Sequence, residues 1–322
     1  MGHDQPVPRR DLIGYGDAPP KVNWPGNARV AVNFCVNYEE GAEMNILLGD
    51  ERSEARVSDL VVVPRYGARD LNMESNYEYG ARVGYWRLLE AFRDRELQGT
   101  VNLVGLAGEL NPRALAQFVE AGFDLQPHGW RWIDFQQCSE AAERAYIAKS
   151  IHQVKALTGE HPLGYYAGMP SINTRRLVIE AGGFVYDSDA YNDDLPYWSR
   201  DFSEPLLIVP YSLDTNDSRF ARTEGYQVGD EFFTYIKDSF DCLYREGERR
   251  PKMMTIGLHA RLCGRPGRIG ALHRILDYML SFDRVWICRR GDIARHWIQQ
   301  HPAPVPSAPP QTLAQGGDDR AQ

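Results

Sequence analysis

Two histidines and a pair of adjacent glutamates are the residues of this chain best equipped to move protons. Each stands just beyond a strand-like run. Tyr38-Glu39-Glu40-Gly41 follows the β-rich residues 29–37 (RVAVNFCVN). Adjacent carboxylates repel, which lifts one pKa toward the range useful to a general base, although a solvated acidic turn is the commoner origin of such a run. His128-Gly129-Trp130-Arg131-Trp132 follows a short run at 123–126, and Gly257-Leu258-His259, with Arg261, ends a run at 253–258. A strand-end histidine can serve as acid, base or metal ligand, and is also often a satisfied structural group. A metal site of the His-x-x-x-His kind requires a ligand four residues after His128, and that position is Trp132, which cannot ligate. Two weaker groups complete the set. Met73-Glu74-Ser75 precedes a helical pattern and also reads as helix-entry chemistry by Ser75 or Asn76. The acidic and aromatic stretch from Asp187 to Trp198 reads as a loop whose aromatics, Tyr191 and Trp198 among them, can wall a pocket for a flat polar substrate.

The elements that must position these groups alternate along the chain. Strand-like runs at 29–37, 100–106, 123–126, 164–166, 185–187, 207–209, 253–258 and 285–288 are separated by helical patterns at 80–95, 111–121, 139–157, 173–181, 231–246 and 268–282. Asn111-Pro112 supplies an N-cap followed by proline at the first helical position. Such alternation predicts parallel βαβ units in an α/β fold, and about seven strands in one unit fit a distorted (β/α) barrel better than an open sheet. Polar strand C-termini then line the reaction face, where Glu39, His128 and His259 all fall.

Residues 1–27, rich in Pro, Gly and charge, read as an extended arm, residues 28–301 as a single barrel domain, and the Pro-rich residues 302–322 as a disordered tail. The 322 residues are 43% hydrophobic and carry a net charge of −8, with arginines scattered rather than striped, so a nucleic-acid partner is excluded. No apolar run approaches a membrane span and no signal-type start is visible, so no membrane partner and a cytoplasmic location are expected. Five widely spaced cysteines without a CxxC pair indicate neither a disulfide framework nor a zinc knuckle. No GxGxxG, GxxxxGK[ST] or GxSxG element occurs, so a nucleotide site and a serine-elbow hydrolase are both disfavoured and no cofactor is expected.

Taken in order, the motifs resemble the polysaccharide deacetylase family, which has a distorted (β/α) barrel, an acidic Thr-Phe-Asp-Asp-Gly motif, a His-x-x-x-His motif, an Arg-Pro loop and a late strand ending in His. Asn37–Gly41, His128–Trp132, Ala167-Gly168-Met169-Pro170 and Leu258-His259 stand at those places. The chain is most similar to the metal-independent allantoinase branch, on Arg10–Gly16, Met73-Glu74-Ser75, Tyr77-Glu78-Tyr79-Gly80, His128-Gly129 with Arg131–Asp134, Asn173–Arg176, Asp193–Trp198, Leu213–Asp217 and Gly257–His259. The resemblance runs from about residue 10 to His301. It implies hydrolysis of a cyclic amide or ureide without a metal. Glu39 or Glu40 with His128 would activate water, and His259 would act as proton donor or oxyanion partner. Glu74, with Asp214 and Asn216, would hold substrate N–H groups. It also implies a small-molecule substrate and a homo-oligomer, a tetramer by analogy.

Three departures stand at strand ends. Tyr166-Ala167-Gly168-Met169 replaces the Tyr-Thr-Gly-Arg usual in the branch, Leu125-Gln126-Pro127-His128 replaces a Cys-Ser-His entry, and Asn102 stands where an aromatic is common. Asn102, Trp132 and Met169 are therefore expected to face the substrate. The loss of a cation at Met169 implies a substrate shifted from allantoin, less charged or larger. Two other readings stay open: a metal-dependent N-deacetylase of amino sugars or other N-acyl groups, and a non-hydrolytic descendant such as a lyase, isomerase or binding protein.

Overall fold

A computed structural model describes residues 10–199, 201–202 and 204–304. Most of the tail at 302–322 lies outside them. Nine strands form two sheets: β1 (Val30–Tyr38), β2 (Thr100–Leu103), β3 (Asp124–Pro127), β4 (Gly164–Tyr165), β5 (Tyr186–Asp187), β6 (Tyr197–Ser199), β7 (Leu206–Ile208), β8 (Lys252–His259) and β9 (Val285–Ile287). The helices are α1 (Leu71–Tyr79), α2 (Tyr85–Arg93), α3 (Gly105–Leu110), α4 (Pro112–Glu120), α5 (Glu140–Thr158), α6 (Thr174–Ala181), α7 (Gly229–Glu246), α8 (Pro266–Leu280) and α9 (Arg290–Gln300).

The first sheet runs β3-β2-β1-β8, with β9 also on β1, and the second runs β4-β5-β7-β6. All pairs are parallel except β6 with β7. This is the α/β architecture expected, with slightly more strands than the seven or so read from the sequence. Continuous pairing does not close the two sheets into one barrel. Tyr166 N–H donates to Pro127 O between the ends of β4 and β3, and on the other side Gly257 N–H donates to Thr215 O, tying β8 to the segment that follows β7.

β1 is the hub. β8 lies along one edge from Val30 to Asn37, while β9 takes residues 30–32 of the other edge and β2 takes 35–38. All nine β1 residues are buried, so its run of Val, Ala, Phe and Cys shows no alternation, as befits a strand covered on both faces. Helices cover the outside through one large apolar cluster that includes Phe34, Leu89, Phe92, Phe118, Phe240 and Leu276.

Several local readings are met and several are corrected. Asn111 caps α4 with Pro112 at the first helical position, and Ser139 caps α5. The segment at 71–93 is two helices joined by a π-turn at 80–84, and its N-cap is Asp70, not Ser75 or Asn76. The stretch at 187–198 contains an edge strand, β6, and α9 fills a region left unassigned.

The two sheets are clasped from inside by Arg290, which is fully buried. Its guanidinium donates to Ser188 Oγ (2.7 Å), Thr255 Oγ1 (2.9 Å), Val209 O (2.6 Å) and Pro210 O, and so touches the ends of β5 and β7 as well as β8. Arg290→Met removes these bonds and strands several buried acceptors, so an unfolding free energy lower by at least about 3 kcal/mol is expected. Urea denaturation checks it, and a loss below about 1 kcal/mol would show that the clasp is dispensable.

Candidate active site

β1, β3 and β8 end side by side, and the residue just past β1, the residue just past β3 and the last residue of β8 converge. Glu39 Oε1 lies 3.3 Å from His128 Nε2 and 3.4 Å from His259 Nε2. All three side chains are buried but for a small opening, at 1%, 4% and 5% exposure. The other Glu39 oxygen accepts from Arg261 at 2.6 Å.

Each histidine is held by its second nitrogen. His128 Nδ1 is 2.8 Å from Tyr166 O, and a carbonyl can only accept, so Nδ1 carries a proton and Nε2 faces Glu39. The imidazole lies flat on the Tyr166 ring, with centroids 4.9 Å apart. Close approach of the next loop requires Gly168: its φ is +73°, and a Cβ there would fall 2.6 Å from His128 Cε1. His259 Nδ1 is 2.6 Å from Asp217 Oδ1, and Asp217 Oδ2 accepts from the backbone N–H groups of His259 (2.7 Å) and Cys263 (3.1 Å). Although burial opposes its charge, the carboxylates of Glu39 and Asp217 raise His259 to about 9. Burial likewise opposes the charge of Glu39, yet Arg261, His259 and the His128 hydrogen bond hold it well below the usual carboxylate range. The site therefore pairs a firmly anionic carboxylate with a firmly cationic imidazole.

Glu40 behaves differently. Its carboxylate accepts from the Glu39 backbone N–H (3.0 Å), lies 3.4 Å from Arg261 NH1, and packs where a Cβ on Gly80 would stand. Burial and the charge of Glu39 outweigh Arg261 and push it up. Glu40 thus shares the Arg261 cation, while the two histidines face Glu39.

Beneath this layer lies a polar floor. Asn37 and Glu39 share the inward face of β1, two residues apart. Asn102 Nδ2 donates to Asn37 Oδ1 (2.9 Å), and the Tyr211 hydroxyl accepts from Asn37 (3.2 Å) and Asn216 (3.1 Å). Tyr211 stacks on Tyr166 at 4.6 Å, so the floor reaches the His128 ring through two aromatics.

The remaining candidates divide. Trp132 is buried, with Arg56 and Arg261 at 5.0 and 5.6 Å from its ring, and Met169 follows Gly168 at the mouth. Tyr191 reaches the rim, its hydroxyl 3.2 Å from that of Tyr166. Asn102 and Asn216 lie in the floor, and Asn216 already has both ends of its amide engaged, since its Oδ1 accepts from Ser218 N–H. Three residues are not drawn into the cluster. Glu74 pairs with Arg69 at 2.5 Å, Asp214 is exposed and accepts from Tyr235 (3.3 Å), and Trp198 donates to His301 O (2.8 Å) on β6.

Arg261 and Asp217 are the functional residues the sequence reading does not select. An Arg two residues after a strand-end His looks solvated, whereas Arg261 is fully buried, donating to Val57 O (2.7 Å) and lying 4.1 Å over the Tyr77 ring.

Polysaccharide deacetylases imply a divalent metal held by an aspartate and two histidines. The residues here do not fit one. Trp132 stands at the second histidine's place, and the Arg261 guanidinium already occupies the side of both carboxylates where a cation would sit. Among the described residues no group of three or more His, Cys, Asp or Glu is arranged to hold a metal ion.

Comparison with known proteins agrees with the fold. The polysaccharide deacetylase family profile matches residues 72–181. A Schizosaccharomyces pombe protein assigned by name to the polysaccharide deacetylases is 40% identical over 313 residues, covering 91% of this chain and 98% of its own. The crystal structure of a Pseudomonas aeruginosa PAO1 protein likewise named for that family superposes with a TM-score of 0.90 at 50% identity, covering 92% of this chain and 99% of that one. The crystal structure of PuuE allantoinase gives a TM-score of 0.90 at 51% identity over the same shares. With motifs, strand order and full-length similarity in agreement, this chain belongs to the polysaccharide deacetylase family of hydrolases.

Proposed function

We propose that this chain opens a cyclic amide or ureide ring by hydrolysis without a metal ion, in the manner of an allantoinase. The observation that carries the reading is the Glu39 carboxylate set between two imidazoles and a buried guanidinium, the arrangement that replaces a metal centre. The 51% identity to PuuE allantoinase supports a ring substrate.

In this reading a water hydrogen-bonded to the Glu39 carboxylate loses its proton to it and attacks the ring carbonyl, while His128 orients that carboxylate. The oxyanion is met by the Nε2–H of cationic His259, which then passes its proton to the ring nitrogen as the carbon–nitrogen bond breaks. Asp217 keeps the imidazole oriented throughout and charged until that transfer. Arg261 fixes the carboxylate of Glu39 and acts only through it.

Purified protein assayed with allantoin, hydantoin, succinimide and dihydrouracil is expected to open at least one ring, with a rate unchanged within twofold by a chelator. Acetate release from N-acetylated amino sugars that a chelator abolishes would instead establish a metal-dependent deacetylase. Absence of turnover on every ring would remove the cyclic-amide reading. No helix among the described residues is long and apolar enough to cross a membrane. Assembly into a homo-oligomer and a small-molecule substrate in the cytoplasm are part of the same proposal.

A further inference from the structure

The loss of a cation at position 169 leaves the site mouth with an apolar side chain, but a second segment approaches the same point. Arg56 NH1 lies 3.0 Å from Met169 Sδ, and its guanidinium carbon stands 5.0 Å from the centre of the Trp132 ring. Its backbone carbonyl accepts from Tyr77 Oη (3.2 Å), the same tyrosine that lies under Arg261. Arg56 is thus anchored to the wall of the catalytic cluster, with a side chain 44% exposed.

The donors of Arg56 are unequally used. Nε and NH2 face the two oxygens of buried Glu54 at 3.1 and 3.4 Å. Among the described residues NH1 meets only the thioether of Met169, a weak acceptor. An arginine whose fork is clamped on one side and idle on the other is oriented at little further entropic cost, and its idle edge is directed at the mouth. Glu54 cancels the charge, so the pair offers directed N–H donors without net positive potential. That favours a neutral carbonyl oxygen over a carboxylate.

We infer that Arg56, held by Glu54, is the specificity-determining donor of this site, binding a neutral exocyclic carbonyl or ureido oxygen on the substrate edge away from the reacting bond. The inference rests on the ring-opening reading above. Met169 then supplies apolar contact, and the substrate oxygen displaces its sulfur from NH1.

The test compares a ring bearing an exocyclic ureido group (allantoin) with the bare ring (hydantoin). The wild type is expected to favour the ureido-bearing ring by at least tenfold in kcat/KM. Arg56→Met is expected to shrink that preference at least tenfold, chiefly through KM for the ureido-bearing ring. Because the two side chains touch, the exchange R56M/M169R keeps a guanidinium at the mouth and is expected to recover at least part of the preference, which a merely structural role for Arg56 would not produce. Arg56→Lys, which keeps charge but loses the fork, is expected to fall nearer to Arg56→Met than to the wild type. A wild type with no preference between the rings, or an Arg56→Met variant that retains the full preference, overturns the role of Arg56 and leaves the ring-opening reading standing. Absence of turnover on both rings and on the other cyclic amides overturns that reading and this inference together.

Discussion

Glu39→Gln is expected to lower kcat by about 10²–10⁴-fold, the range typical of removing a general base. The substitution keeps the shape of the side chain but removes the anion that faces His128 Nε2 and His259 Nε2 and binds Arg261. Three groups change state together: the attacking water loses its proton acceptor, His259 loses one of the two anions that keep it charged, and Arg261 becomes a buried cation with only Glu40 nearby. Breaking a buried pair commonly costs about 3–5 kcal/mol, so urea denaturation must accompany the kinetics. Glu40→Gln is the informative contrast. It removes a charge that burial and Glu39 already disfavour, and its loss of kcat is expected to stay within about tenfold. A folded Glu39→Gln enzyme within tenfold of the wild type would take Glu39 out of the chemistry.

Asp217→Asn is expected to cost a comparable factor, about 10²–10⁴ in kcat, because the acid then loses the anion that orients it and one of the two that keep it charged. The pH profile separates this role from simple packing. His259 is raised to about 9, so its charged form dominates below that pH and is lost as pH rises through it. The alkaline limb of kcat/KM in the wild type should therefore fall near pH 9. Without the Asp217 anion the limb moves toward the ordinary imidazole range, so the variant should lose activity at lower pH than the wild type. The same shift bears on folding: the stability His259 contributes is complete below about 6.5 and vanishes through its raised value. An unchanged limb in the variant would mean that His259 is not the titrating acid.

How much of this was legible beforehand depends on whether a residue acts through its own strand or through another. Glu39, His128 and His259 each end a β-rich run, and parallel strands bring their C-termini to one face, so their convergence follows from pattern and topology. The choice of Glu39 over Glu40 does not, since adjacent residues past a strand end diverge and only the packing of Gly80 and Arg261 says which carboxylate turns inward. Asp217 reaches His259 across 42 positions of sequence, a distance no local pattern spans. The sequence reading instead favours Asp214 and Asn216. Asn216 spends its side chain capping the turn that begins at Asp217, and that capped turn is what delivers the Asp217 carboxylate to the site. Tyr191 and Trp198 do line a cavity, as their composition suggests, but it is bounded by residues from 10–16 and 245–252 rather than by Glu39, His128 and His259, and the Trp198 indole goes to the carbonyl of His301. β6 escaped because a three-residue strand carries too few positions to show a period.

The double coverage of β1 has a consequence for how this protein fails. Its backbone amides and carbonyls are engaged on both edges by three other strands, so they belong with the slowest-exchanging hydrogens, released only when the whole domain opens. Glu39 is carried one residue beyond that strand and cannot be displaced by fraying. The segment that carries Glu54 and Arg56 belongs to neither sheet and is tied by isolated bonds, Ser53 N–H to Arg65 O, Glu54 N–H to Met44 O, Tyr77 Oη to Arg56 O and Arg261 Nε to Val57 O. Rising temperature should therefore erode discrimination between substrates first and turnover only at cooperative melting, because the two properties reside in foldons of unequal protection.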